Sequence, residues 1–135
     1  MTRGRAAAVL ALLVVVAAVI AGLRLAGSPA QERARRLDRR RLDDLAAISR
    51  AIDVYHERHR RMPNALADLT NASGPEVTIA DPSTGQAYEY RVTEGKHYEL
   101  CATFAGASRD QGYADLWAHG AGRQCFPLGV REVTR

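Results

Sequence analysis

Eighteen consecutive uncharged residues, AAAVLALLVVVAAVIAGL at positions 6–23, constrain this chain more than anything else in it. As a helix the run rises about 27 Å, close to the hydrocarbon thickness of a bilayer, and it reads as a membrane span. A cleaved signal peptide is the competing reading, because Arg3 and Arg5 give a basic start and Ser28-Pro29-Ala30 is an acceptable small-residue cleavage site. The apolar core of such a signal is usually only about 7–15 residues, so a retained anchor is expected. The rest of the 135 residues leaves room for one small domain and no second one.

The formal charge of +4 is unevenly spread. Residues 1–30 carry three arginines, and residues 31–61 carry ten arginines against six acids. Residues 62–135 carry six bases against nine acids, so the basic balance belongs to the anchor and the segment after it. A high isoelectric point is therefore poor evidence here for a nucleic-acid-binding domain.

Ser28-Pro29-Ala30-Gln31 has the form of a capping box with proline at the first helical position. The helix predicted to start there carries Leu42, Leu45, Ile48, Ile52 and Tyr55 on one face, with Leu37 extending the stripe, and should stop before Pro63. Beyond it, residues 64–69 predict one or two helical turns capped by Asn64, with Leu66 and Leu69 on a common face. Val77 and Ile79 suggest a short strand, and Asp81-Pro82 with Thr84-Gly85 mark turns. Asn71-Ala72-Ser73 matches the glycosylation pattern, a match common by chance.

Residues 88–104 read as a hairpin. Tyr88, Tyr90 and Val92 alternate with Glu89 and Arg91, and Tyr98, Leu100, Ala102 and Phe104 alternate with Glu99, Cys101 and Thr103. Opposing Val92 with Tyr98, Tyr90 with Leu100 and Tyr88 with Ala102 keeps the apolar sets together and sets Arg91 against Glu99. A lone hairpin is marginal in water, and the stripe of the long helix is the surface available to cover it. Cys101 then falls on the opposite face, and the glycines at 106, 112, 120 and 122 let the chain return so that Cys125 can meet it. Such a disulfide would contribute about 3.5 kcal/mol by the chain-entropy model and would persist only outside a reducing cytosol.

The order of these features resembles the pseudopilins of type II secretion and type IV pilins more broadly. The resemblance rests on an N-terminal span, an amphipathic helix leading into Met62-Pro63-x-x-Leu66-x-x-Leu69, and Asp81-Pro82-x-x-Gly85-x-x-Tyr88-x-Tyr90. It covers most of residues 6–104 and implies a long helix packed on a small antiparallel sheet, sometimes with a C-terminal disulfide loop. The leader departs from the family pattern: Gly4 is followed by Arg5-Ala6-Ala7-Ala8-Val9, with Val9 where such precursors carry glutamate. The prepilin peptidase motif is therefore not matched, and the resemblance bears on the fold rather than on processing or fibre assembly.

Candidate chemistry is sparse. Arg33, Arg35, Arg36, Arg39, Arg40 and Arg41 follow the span and are candidates for contact with anionic lipid, or simply a solvated helix face. No aromatic residue interleaves them, which argues against nucleic acid. They also conflict with the cysteines: the positive-inside rule places the domain in the cytoplasm, whereas a disulfide places it outside. The cysteines are given more weight, because 18 of the 19 basic residues are arginine and the bias inflates any local count.

His56 and His59 stand three apart without further ligands, and His56-Glu57-Arg58-His59 lacks one residue of the H-E-x-x-H zinc motif. Asp110 and Asp115 around Gly112 fall short of the oxygens calcium requires, although certain pseudopilins bind calcium in a C-terminal loop. A cysteine nucleophile assisted by His97 or His119 lacks an orienting third group. Trp117 and His119 are expected to pin the loop onto the sheet, and Tyr113 to help.

The sequence thus predicts an α+β protein, with a membrane anchor over residues 1–27, an amphipathic helix over 28–61 and a small antiparallel sheet with a C-terminal disulfide loop over 62–135 forming one domain with that helix. The expected role is structural or protein-interacting, pilin-like and extracytoplasmic with a cytoplasmic N-terminus, in association with a secretion or pilus-type assembly. It is anchored through residues 6–23, has other envelope proteins as partners, possesses no cofactor or metal site and is not an enzyme. The alternative is a cytosol-facing anchored module whose arginines bind anionic lipid or nucleic acid.

Overall fold

Why the apolar run and the striped helix behave differently follows from what each can bury. The computed structural model describes residues 2–25, 28–71, 76–108 and 115–131, which fall into two units, Met1–Arg33 and Ala34–Arg135. In the first, α1 (Thr2–Leu25) is apolar on every side and exposes its described side chains throughout, Leu10 by 65%. A helix of uniform hydrophobicity finds no single face to bury in water, and α1 is long and apolar enough to cross a membrane.

Helix α2 (Pro29–His59) opens as its sequence predicts: the Ser28 hydroxyl accepts from the Gln31 backbone N–H at 3.2 Å. In the second unit its stripe is buried, with Leu45, Ile48 and Ile52 wholly enclosed and Leu42 and Tyr55 nearly so, while Leu37 is half-buried. The helix ends four residues before Pro63, and Arg60 follows with φ of 55°, the left-handed conformation in which chains leave helices. Helix α3 (Ala67–Asn71) comes next, with Leu66 and Leu69 buried together. Asn64 does not cap it as expected. The Asp68 carboxylate instead reaches back to the N–H groups of Asn64 and Ala65, since a charged acceptor in the first turn satisfies free donors better than an amide.

Three strands form an open antiparallel sheet in the order β1-β2-β3: β1 (Glu89–Glu94), β2 (His97–Phe104) and β3 (Gly122–Gly129). The fold is α+β, and the helix stripe and the inner sheet face form one core. The β1–β2 register is the predicted one, with Val92 opposite Tyr98, Arg91 opposite Glu99 and Tyr90 opposite Leu100. Gly95, at φ of 57°, lies in the turn, and the ladder slips between Val92 and Glu94, where Val92 is left 40% exposed.

Three expectations are corrected. Tyr88 does not pair with Ala102 in the ladder. There the chain leaves β2, Ala87 bridges Ala80 and Tyr88 N–H donates to the Ile79 carbonyl at 2.9 Å, so the segment holding Val77 and Ile79 forms no strand and only a single bridge, at Ala80. The C-terminal disulfide loop is, over residues 122–129, a full third strand paired along all of β2. Pro127 is tolerated because β3 is an edge strand, where an absent N–H on the outer side removes no ladder bond.

Candidate functional site

The polar groups of the domain concentrate where the 81–88 segment crosses α2. Asp81 builds its own turn, its carboxylate accepting from Ser83 and Thr84 N–H at 2.8 and 3.0 Å, while Gly85 N–H returns to the Asp81 carbonyl at 2.8 Å. Gly85 adopts φ of 70°, which explains glycine at that position. The same carboxylate takes two hydrogen bonds from Arg41, Nε at 2.5 Å and Nη2 at 3.2 Å, in the bidentate geometry guanidinium favours. Arg41 Nη1 donates to Asp38 at 2.8 Å, and Asp38 accepts from the N–H groups of Ala105 and Gly106, each at 3.0 Å.

Only 7% of Arg41 and 8% of Asp38 are exposed, so this cluster ties α2, the 81–85 turn and the end of β2 from within. Arg41 holds the Asp81 carboxyl down to about 2, and Asp81 in turn raises the arginine.

The tyrosines extend the tie. Tyr88 donates to Asp44 at 2.9 Å, Tyr98 shares a 2.9 Å hydrogen bond with Ser49, and Tyr90 donates to the Pro63 carbonyl at 3.0 Å. Burial raises all three phenols, Tyr90 to about 12, so they remain neutral. Burial also raises Asp44, against the lowering effect of the Tyr88 hydroxyl. Each ring fills the core while its oxygen is spent on the helix or the loop beyond it, as amphipathic aromatics do.

Beside the cluster runs an open groove of about 330 Å³, bounded by Thr84, Gln86, Tyr88 and Glu89 on one side and Thr103 and Ala105 on the other. It exists because β1 begins opposite Cys101 while β2 continues to Phe104. The sheet's outer face carries the disulfide: Cys101 and Cys125 are direct cross-strand partners, Cα atoms 4.0 Å apart, and are bonded to each other. The Arg123 guanidinium forks onto Glu89 at 2.6 and 2.8 Å and lies 3.6 Å from Cys101 Sγ. Arg91 meets Glu99 at 2.6 Å.

Other candidates separate. The joined thiols leave no free nucleophile for His97 or His119 to assist. His97 Nδ1 lies 3.3 Å from the Glu94 carbonyl, and the His119 ring stacks on Phe104 at 3.8 Å. Trp117 packs on Phe126 at 5.0 Å, so both loop residues rest on the sheet as expected. His59 stacks on Tyr55 at 4.3 Å. Among the described residues no three His, Cys, Asp or Glu side chains gather as a metal site.

The side chains of Asp110, Gly112, Tyr113 and Asp115, and those of Asn71-Ala72-Ser73, lie outside the described residues. Arg33, Arg35, Arg36, Arg39 and Arg40 are exposed, but Arg41 is drawn out of that set into the buried cluster and cannot face lipid.

Asp38 and Arg41 are the residues that periodicity would have found had it been followed for charge as well as for apolar character. They lie seven and four positions before Leu45, on the face that α2 buries. Compared with models of known protein families, with curated proteins and with solved structures, the chain matches none of them.

Proposed function

We propose that this chain is a membrane-anchored, pilin-like protein that presents its small domain outside the cytoplasm and acts by binding other envelope proteins. The observation that carries the reading is the Cys101–Cys125 disulfide in a domain that follows an apolar helix of bilayer length. A bond of this kind is maintained in oxidising compartments, and a single span connects such a compartment to the cytoplasm. Support for the pilin-like character comes from the positions that carry the resemblance. Asp81 receives Arg41, Gly85 adopts the left-handed turn, and the Tyr88 and Tyr90 hydroxyls are held by Asp44 and Pro63. Val9 in the place of glutamate leaves fibre assembly out of the reading, which assigns no reaction to the chain.

The arginines after the span favour a second reading, a cytosol-facing module with reduced thiols. A reporter active only outside the cytoplasm, fused after Arg135, distinguishes the two. Activity is expected, together with thiols that resist alkylation until reduced. An inactive reporter with two alkylatable thiols would overturn the proposal. For partners, a photo-crosslinking residue at Thr84 or Thr103, both exposed beside the groove, is expected to capture an envelope protein in intact cells.

A further inference from the structure

The structure divides the arginine run in two, and the outward part has no role in the folded domain's interior. Residues 34–43 carry five arginines and two aspartates; Arg41 and Asp38 turn inward and satisfy each other. Arg35, Arg36, Arg39 and Arg40 remain exposed, with Asp43 the exposed acid among them, leaving a net +3.

Arg35 follows Leu25, the last residue of α1, by only ten positions along the chain, which makes the patch juxtamembrane in sequence wherever α1 is inserted. Guanidinium is weakly hydrated and pairs with phosphate through a fork of donors, so the partner its chemistry fits beside a membrane span is a phosphodiester headgroup.

We infer that Arg35, Arg36, Arg39 and Arg40 form a binding surface for the anionic phospholipids of the bilayer that holds α1, which seats the first turns of α2 among the headgroups. The inference does not depend on which side of the membrane the domain occupies. Each arginine near an anionic surface favours it by about fivefold, and the attraction falls with salt.

The test is the association of spin-labelled phosphatidylglycerol, relative to phosphatidylcholine, with the full chain reconstituted in phosphatidylcholine vesicles. Wild type is expected to prefer phosphatidylglycerol at least about fivefold at low salt. The preference should fall to within about twofold of unity in the Arg35→Gln/Arg36→Gln/Arg39→Gln/Arg40→Gln variant, whose unchanged melting temperature shows the fold intact. Arg50→Gln/Arg58→Gln, which alters charge further along the same helix, should retain it. A preference that survives the fourfold substitution, or one absent from wild type, overturns the inference. So does binding of single-stranded DNA in place of lipid selectivity, which would assign the patch to a different class of partner.

Discussion

Strands β1 and β3 flank the same strand and are fastened to the molecule by different means. β3 pairs with all eight residues of β2 and adds a covalent bond at Cys125. β1 pairs with β2 over a shorter stretch, its side chains largely exposed, and the segment leading into it is tied to α2 by buried polar groups. The difference matches their sequences. β3 contains Pro127 and ends in glycine on both sides, so its pairing gains little from local preference and the disulfide compensates. β1 alternates cleanly, and what it lacks is a cover: Tyr88, just before it, is held by Asp44 of the helix, and its own Tyr90 by the Pro63 carbonyl beyond the helix.

The polar fastening is the easier to break. Arg41→Met leaves Asp38, buried, and Asp81, half-buried, without their cation, and is expected to destabilise the domain by about 4 kcal/mol. For a unit of this size that lowers the melting temperature by roughly 15–30 °C, read by near-ultraviolet circular dichroism of the full chain in detergent. Adding Asp38→Asn and Asp81→Asn should recover part of the loss, because the penalty comes from unpaired charge rather than from lost volume. If the triple variant melts no higher than Arg41→Met, the cluster acts through packing and the contrast with β3 is misdrawn.

The covalent fastening comes next. Cys101→Ser/Cys125→Ser opens a closure of 24 residues, for which the chain-entropy model gives about 3.5 kcal/mol. Hydrogen exchange should show where the cost falls: amides of β3 lose protection, while those in the β1–β2 hairpin retain most of theirs. Equal loss in both strands would mean that the bond supports the whole sheet.

Acid weakens the polar fastening and leaves the covalent one intact. Asp81 titrates lower in the folded chain, at about 2, than its ordinary 3.8. It therefore adds stability above pH 3.8 that is lost as pH falls toward 2, an amount on the order of 2 kcal/mol. Asp44 and Asp53, raised by burial, act in the opposite sense and offset part of that loss on acidification. Denaturant titrations at pH 6, 4 and 2 should show Asp81→Asn less stable than wild type at pH 6 and nearly equal to it at pH 2. A constant gap across this range would place the cost of the substitution outside the ion pair.

Most of the helix–hairpin half was legible because its pattern is strong and local. The stripe from Leu42 to Tyr55 and the alternation from Tyr88 to Phe104 each follow one period, and the pair Arg91 and Glu99 chose between registers. What escaped depends on distant partners. β3 reads as loop because Gly122, Pro127 and Gly129 oppose strand propensity, and only the edge of β2 makes a strand of it. Asp38 and Arg41 read as members of a charge run because, besides each other, their partners at Asp81 and at the backbone of residues 105–106 are 40 or more residues away. The outward arginines needed the structure only to show which of the six had been taken inward.

The smallest expected effect tests whether the exposed side of β1 contributes to its fastening at all. Arg91 is 74% exposed by its side chain, and its 2.6 Å contact with Glu99 is open to water and salt. Such pairs contribute roughly 0.2–1 kcal/mol, so Arg91→Ala should cost about 0.3 kcal/mol, close to the limit of a denaturant titration. Arg91→Glu sharpens the measurement by placing two carboxylates opposite each other, with a loss of about 0.5–1 kcal/mol that shrinks as salt is raised. If Arg91→Ala costs as much as Arg41→Met, then the register of β1 depends on its outer face, and the helix-side anchors are not what holds it.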